Sequence, residues 1–246
     1  MKPIRIVKAS YRDCPIEDRK FFNKSRCIVP ISVGQPIHEG SKFAATMELI
    51  NRTFKECVIL IDDVVQRHTM RIAEPKLDEH ELYNKAKLEG QQWLSRNKKS
   101  CDLLDIPFKI ITWEKWLNHK NFTFAYKEIL NQYNNNIALR QAFCENIEDF
   151  LDRYKKNNNK IKFNYDMAFS LCLDYLKEEC ACMCLWTEEE CAFEVYPHGR
   201  NKAMSATYKF IIQEKYPHLL KSVALRFKKY TTITNMQKKQ SVALEY

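Results

Sequence analysis

No apolar run in this chain of 246 residues approaches the length of a membrane span, and the opening MKPIRIVKAS lacks the apolar core of a signal peptide. Both absences predict a cytoplasmic protein with no membrane partner. The ten cysteines include no CxxC pair, although five of them fall within Cys172–Cys191. Zinc sites usually need that spacing, so no metal is expected, and in a reducing compartment buried cysteines behave as small hydrophobes. No RNP, KH or zinc-knuckle signature occurs, and no internal repeat. Glycine is scarce too: of only four, Gly34 and Gly40 lie within one short stretch.

What is present is a soluble, basic chain. Hydrophobic residues make up 45% and charged residues 29%, enough for a real core in one large α/β domain. Forty Lys plus Arg against 31 Asp plus Glu leave +9, an excess that favours polyanionic partners, nucleic acid above all.

Periodicity divides the chain into alternating strands and helices. Residues 1–25 form a polar, basic extension or edge strand. Cys27–Ile31 is a short β-branched run of buried-strand type; Phe43–Phe54 has apolar residues at helical spacing; CVILIDD (Cys57–Asp63) is the clearest buried strand. Strand, helix, strand over so short a span is a βαβ unit with parallel strands. A long helix is predicted from Asp78 to Lys99, with Lys85, Arg96 and Lys99 within about one third of its circumference. Phe108–Trp113 reads as a strand, then helices over Thr123–Tyr133 and Ile137–Tyr154, ended by a polar loop at Lys155–Lys160. A helix from Asp166 to Cys184, a strand Glu190–Pro197, a helix Asn201–Lys215 and a strand Leu225–Ile233 follow, and residues 235–246 are expected to be a mobile tail. The pattern predicts one Rossmann-like, doubly wound α/β domain with a mainly parallel sheet flanked by helices.

Chemistry concentrates at Arg26–Phe43, RCIVPISVGQPIHEGSKF. Ser32 ends a predicted strand and precedes a glycine turn, the place where open α/β sheets bind ligands and where the N–H groups of Val33 and Gly34 can face an oxyanion. An ordinary strand-to-helix turn explains the same residues. P-x-S-x-G also echoes the nucleophile elbow of α/β-hydrolases, with Pro30 in place of its first glycine, but that fold sets several strands before the elbow and here at most two precede it. Tyr175 and Glu179, four apart on one helix face, pair a phenol with a carboxylate, a combination suited to an ammonium group. Tyr196 closes a strand before Pro197.

In this order and at these separations, Ser32-Val33-Gly34-Gln35, Tyr175-Leu-Lys-Glu-Glu179 and Tyr196 resemble the motifs of the tRNA-dependent cyclodipeptide synthases, over Cys27 to Gly199. That family has a serine nucleophile in an S-x-x-X signature, a Y-x-x-x-E pair and a later catalytic tyrosine. Gln35 with Tyr196-Pro197 looks like its XYP subfamily; Pro30 departs from the glycine of the best-known members. The resemblance implies a fold related to class I tyrosyl- and tryptophanyl-tRNA synthetase catalytic domains. It implies an aminoacyltransferase that joins two aminoacyl-tRNAs into a diketopiperazine through an aminoacyl-serine, without a cofactor, acting as a monomer.

By the same resemblance Ser32, Tyr175, Glu179 and Tyr196 would be catalytic. Gln35 and Tyr126 would orient the aminoacyl group, and Ile28, Ile59 and Cys182 would line the first side-chain pocket. Lys85, Arg96, Lys98 and Lys99 would hold tRNA from the long basic helix. Two other readings stand beside this one. Pro36-Ile-His38-Glu-Gly40-Ser41 and Lys202-Ala-Met204-Ser205 echo the HIGH and KMSKS motifs of a class I aminoacyl-tRNA synthetase, although the chain lacks length for an anticodon domain. A basic, non-enzymatic RNA-binding module is the other.

Overall fold

The structure, a computed structural model, describes residues 4–157 and 163–232. Six strands form one sheet: β1 (Ile4–Arg12), β2 (Arg26–Ser32), β3 (Glu56–Asp62), β4 (Phe108–Thr112), β5 (Phe193–Tyr196) and β6 (Lys221–Thr232), in the order β1-β6-β5-β2-β3-β4. All neighbours pair in parallel except β1, which lies antiparallel to β6 at one edge. β2 and β3 are apolar on both faces because both faces are covered, as a parallel sheet requires. Ile28, Val58 and Leu60 enter the core beneath α6 (Phe122–Asn135), α7 (Ile137–Asn157) and α8 (Tyr165–Leu185). Cys27, Val29, Ile31 and Ile59 enter the opposite core, beneath α2 (Gly40–Thr53) and α4 (Glu79–Cys101). Short helices α1 (Ile16–Arg19), α3 (Arg67–Ala73), α5 (Glu114–Leu117), α9 (Lys202–Thr207) and α10 (Gln213–Lys215) complete the chain.

Helix α4 begins on a reciprocal cap: Asp78 Oδ1 accepts the Glu81 N–H at 2.8 Å, and Glu81 Oε2 accepts the Asp78 N–H at 2.9 Å. It lies so close to the end of β3 that a Cβ at Gly90 would sit 2.5 Å from Asp63 Cβ, so only glycine fits there. Among the described residues no helix is long and apolar enough to cross a membrane.

Several boundaries differ from expectation. The predicted loop Lys155–Lys160 begins inside α7, which continues to Asn157, and the rest of that loop lies outside the described residues. The strand predicted over Glu190–Pro197 is only Phe193–Tyr196, because Glu190 takes a left-handed φ of 54° to end the preceding turn. The helix predicted over Asn201–Lys215 is interrupted by a π-helical segment, Tyr208–Ile212. β6 starts at Lys221, earlier than Leu225, since Lys221–Ala224 pair with β5. The tail after Asn235 lies outside the described residues.

Candidate active site

The strand order reverses direction at β2: the chain moves from β2 to β3 to β4 on one side, and β5 and β6 are laid down on the other. Such a switch point leaves a crevice at the carboxyl ends of the strands. Here the crevice is opened further because the pairing of β2 with β5 stops at Ile28, opposite Glu194, while β2 stays paired with β3 as far as Ser32 and Asp62. Pro30, which has no N–H to donate, lies where β2 has only β3 beside it. The crevice widens into a cavity of about 750 Å³.

Ser32 and Tyr196, the last residues of β2 and β5, face each other across the crevice, with Ser32 Oγ 3.1 Å from the Tyr196 hydroxyl. The turn after Ser32 is held from behind. Its N–H donates to His38 Nδ1 at 2.9 Å, the His38 ring stands edge-on to Tyr196 at 5.2 Å, and Trp93 Nε1–H of α4 donates to the His38 carbonyl at 2.9 Å. Burial pushes the His38 imidazole down to about 4, so it is a neutral acceptor there. Gly34 has φ 83°, which makes glycine the suitable residue in this turn.

From the other side α8 delivers Tyr175 and Glu179. The Tyr175 hydroxyl donates to Glu179 Oε1 at 3.3 Å, and Asn201 Nδ2, at the start of α9, donates to Glu179 Oε2 at 3.0 Å. Burial raises the Glu179 carboxyl to about 7 against these two hydrogen bonds, with the charge of Glu194 adding to the rise. Burial likewise lifts Tyr196 to about 12. The site therefore holds a carboxyl poised to change charge near neutrality and a phenol that keeps its proton.

Ser32, Gln35, Tyr175, Glu179 and Tyr196 all reach the cavity wall. Ile28, Ile59, Cys182 and Tyr126, expected around the aminoacyl group, are not among the residues that line the cavity. Ile28 and Cys182 face the right way but are fully buried beneath the cavity floor. Ile59 is in register with Val29 and so points to the opposite core, and Tyr126 packs against the core from α6. The apolar wall comes instead from Pro30, Ile147, Phe150, Cys172, Leu176 and Met204. Sequence reasoning missed His38 as the support of the Ser32 turn, Asn201 as the partner of Glu179, and Asp62. Asp62 carried one signal, as the first of two acids at the end of the clearest predicted strand.

The basic helix is less free than expected. Lys85 pairs with Glu74, and Arg96 pairs with Glu39 at 2.9 Å, whereas Lys98 and Lys99 are exposed on the last turn of α4. The synthetase echoes lie in unrelated settings: His38 braces the Ser32 turn, and Lys202 pairs with Glu145 and Asp149 of α7 at 3.2 and 2.9 Å. All ten cysteines are free thiols and eight of them are buried.

No protein-family model matches the chain, and no curated protein is similar to it. Solved structures are. A CDPS (cyclodipeptide synthase) from Fluoribacter dumoffii is 51% identical, with a TM-score of 0.89 over 92% of this chain and 100% of that one. The cyclodipeptide synthase of Candidatus Glomeribacter gigasporarum, bound to its Phe-tRNA, shares the fold at 18% identity, with a TM-score of 0.70 over 92% of this chain and 98% of that one. A Mycobacterium tuberculosis protein, whose structure relates cyclodipeptide synthetases to type I tRNA synthetases, shares it at 9% identity, with a TM-score of 0.62 over 90% and 93%.

Proposed function

The chain belongs to the cyclodipeptide synthases, enzymes that build cyclic dipeptides from aminoacyl-tRNAs, and from that premise we propose that Ser32 is the nucleophile carrying the growing product in this crevice. The observation that carries the reading is the Ser32 Oγ to Tyr196 hydroxyl distance of 3.1 Å at the switch point, with the Tyr175–Glu179 pair on the same cavity wall. Ser32 Oγ attacks the carbonyl of a first aminoacyl ester; the C–Oγ bond forms, the bond to the ribose oxygen breaks, and that oxygen leaves with the serine proton. One ester replaces another, so the step needs no ATP.

The ammonium of the bound residue docks against Glu179 and the Tyr175 hydroxyl. A carboxyl whose own value is near 7 ionises beside a cation, and it then takes the proton that frees the amine for attack on a second aminoacyl ester. The C–N bond forms, the bond to the second ribose oxygen breaks, that oxygen leaves with a proton from the attacking nitrogen, and the result is a dipeptidyl-enzyme. Its terminal amine attacks the Ser32 ester and closes the ring, with Tyr196 handing a proton to the departing Oγ. Burial holds Tyr196 protonated for that task. Gln35 on the wall, with Tyr196-Pro197, fits the XYP subfamily. Lys98 and Lys99, with Lys85 and Arg96 released from their acidic partners, would follow the tRNA backbone, and the reaction would run in the cytoplasm where charged tRNA is made.

The test is Ser32→Ala. The variant should fold normally, because a half-buried hydroxyl contributes little to packing, and should form neither a covalent adduct with charged tRNA in intact-mass measurement nor any diketopiperazine. An aminoacyl adduct of wild-type mass on the variant would reject Ser32.

A further inference from the structure

Two amines become nucleophilic in each catalytic cycle, yet Glu179 is a single base. The cavity is bordered by three buried acids, and their partners differ. Glu179 has Tyr175 and Asn201. Glu194 is neutralised by Arg200, whose Nε donates to it at 2.6 Å, and Arg200 is itself fixed by the Leu220 carbonyl and by stacking on Tyr208. Asp62 has neither a cation nor, at Oδ1, any hydrogen-bond partner among the described residues, though it is only 4% exposed.

Register puts Asp62 where an amine must arrive. Ser32 and Asp62 are Cα partners at the carboxyl ends of neighbouring parallel strands, which run about 4.8 Å apart. Side chains alternate along a strand, so Ser32 continues the row Ile28–Pro30 and Asp62 continues the row Val58–Leu60, both toward the α8 side of the sheet. Both line the cavity. A buried carboxyl without a partner is costly and is rarely kept where it does nothing. Burial, with Glu179, Asp63 and Glu194 nearby, pushes this carboxyl well above its usual range.

Resting on the Ser32 reading, the geometry points to Asp62 as a further catalytic residue: it binds the ammonium of the second amino acid and takes its proton before ring closure. The second amine docks beside the Ser32 ester and forms an ion pair with the Asp62 carboxylate. It passes one proton to Asp62 and attacks the ester carbonyl. The C–N bond forms, the C–Oγ bond breaks, Tyr196 gives its proton to Oγ, and Tyr196 is reprotonated by the second proton of the nitrogen. Glu179 and Asp62 thus serve the first and second amines in turn.

The experiment is single-turnover mixing of Asp62→Asn with total bacterial tRNA charged with an amino-acid mixture, read by intact mass and by product release. Loading of Ser32 should stay within about threefold of wild type, while diketopiperazine release falls about 10²–10⁴-fold and a dipeptidyl-enzyme accumulates. Asp62→Asn should melt at or above the wild-type temperature, since it removes an unpartnered acid. If the amide fails to fold, Asp62→Ser carries the same assay. Wild-type release, or loading and release falling in parallel without a dipeptidyl adduct, would overturn the assignment. Failure of the two readings is separable: a wild-type enzyme that forms no Ser32 adduct sinks the nucleophile and this inference together, whereas normal loading and normal release in Asp62→Asn sink only the latter.

Discussion

Glu178 and Glu179 are neighbours on α8, and both are buried, at 5% and 7% exposure. They are opposites in chemistry. One step along a helix turns the side chain by about 100°, enough to send the two carboxyls into different surroundings. Glu178 meets cations and a strong donor: Arg67 at 2.6 Å, His68 at 3.1 Å and Trp113 Nε1–H at 2.9 Å. Burial alone would raise it, but the hydrogen bonds of His68 and Arg67 bring it down to about 2. Among the described residues Glu179 meets only neutral donors, and burial wins, raising it to about 7. The first is a permanent anion that clamps α3 and Trp113 to α8. The second is a carboxyl left free to trade a proton. Equal burial therefore says nothing about role; the charge of the partner decides it.

Substituting each residue by its amide breaks the comparison. Glu179→Gln should cause the largest effect, on activity: Ser32 still loads, the first amine loses its base, an aminoacyl-enzyme accumulates, and product formation falls by about 10²–10⁴-fold in single-turnover assays. Normal turnover in this variant would remove Glu179 from the mechanism. Glu178→Gln should instead act on stability, costing about 1.5–3 kcal/mol in urea unfolding because Arg67 loses its buried anion and keeps, among the described residues, only the exposed Glu79, with turnover per folded molecule preserved.

The pH dependence of stability sharpens the contrast, because the signs are opposed. The folded value of Glu178 is depressed, so its contribution is complete above the ordinary carboxylate range near 4.5 and is lost as pH falls toward about 2. The folded value of Glu179 is raised, so its contribution is complete below about 4.5 and is lost as pH rises through about 7. The wild type should thus match Glu179→Gln at about pH 4 and be the less stable of the two at about pH 8, while its advantage over Glu178→Gln should shrink only under acid conditions. Parallel curves for the two variants would mean that the two sites do not differ as described.

The smallest effect is expected far from both. Lys98→Ala with Lys99→Ala should change stability by no more than about 0.5 kcal/mol. Each lysine that neutralises a phosphate should, once removed, lower the salt-dependence slope of tRNA binding by about 0.9, as on duplex nucleic acid. An unaltered slope would make the end of α4 a merely solvated face.

Much of the fold was legible in local pattern. CIVPI and CVILI read as buried strands, and the run from Asp78 read as a long helix, which the structure shows as α4 from Glu79 to Cys101. The Tyr175–Glu179 pair was legible because a helix fixes the i, i+4 relation. The pocket wall was not. Periodicity tells which face a side chain takes but not how deep it lies, so Ile28 and Cys182 were expected in the pocket yet lie beneath it, and a register of one residue sends Ile59 to the other core.

Sequence alone determined the elements and the turn at Ser32, since hydrogen-bonding periods, caps and glycine conformations are set by neighbours along the chain. Tertiary structure decided the chemistry. It brought Tyr196 to Ser32 across 164 residues, His38 behind the turn, Asn201 to Glu179, and left Asp62 Oδ1 without a hydrogen-bond partner among the described residues at the same sheet edge. It also made Glu178 an anchor and Glu179 a base. Proton affinity depends on burial and on the charge of whatever packs alongside, and only the folded chain supplies both.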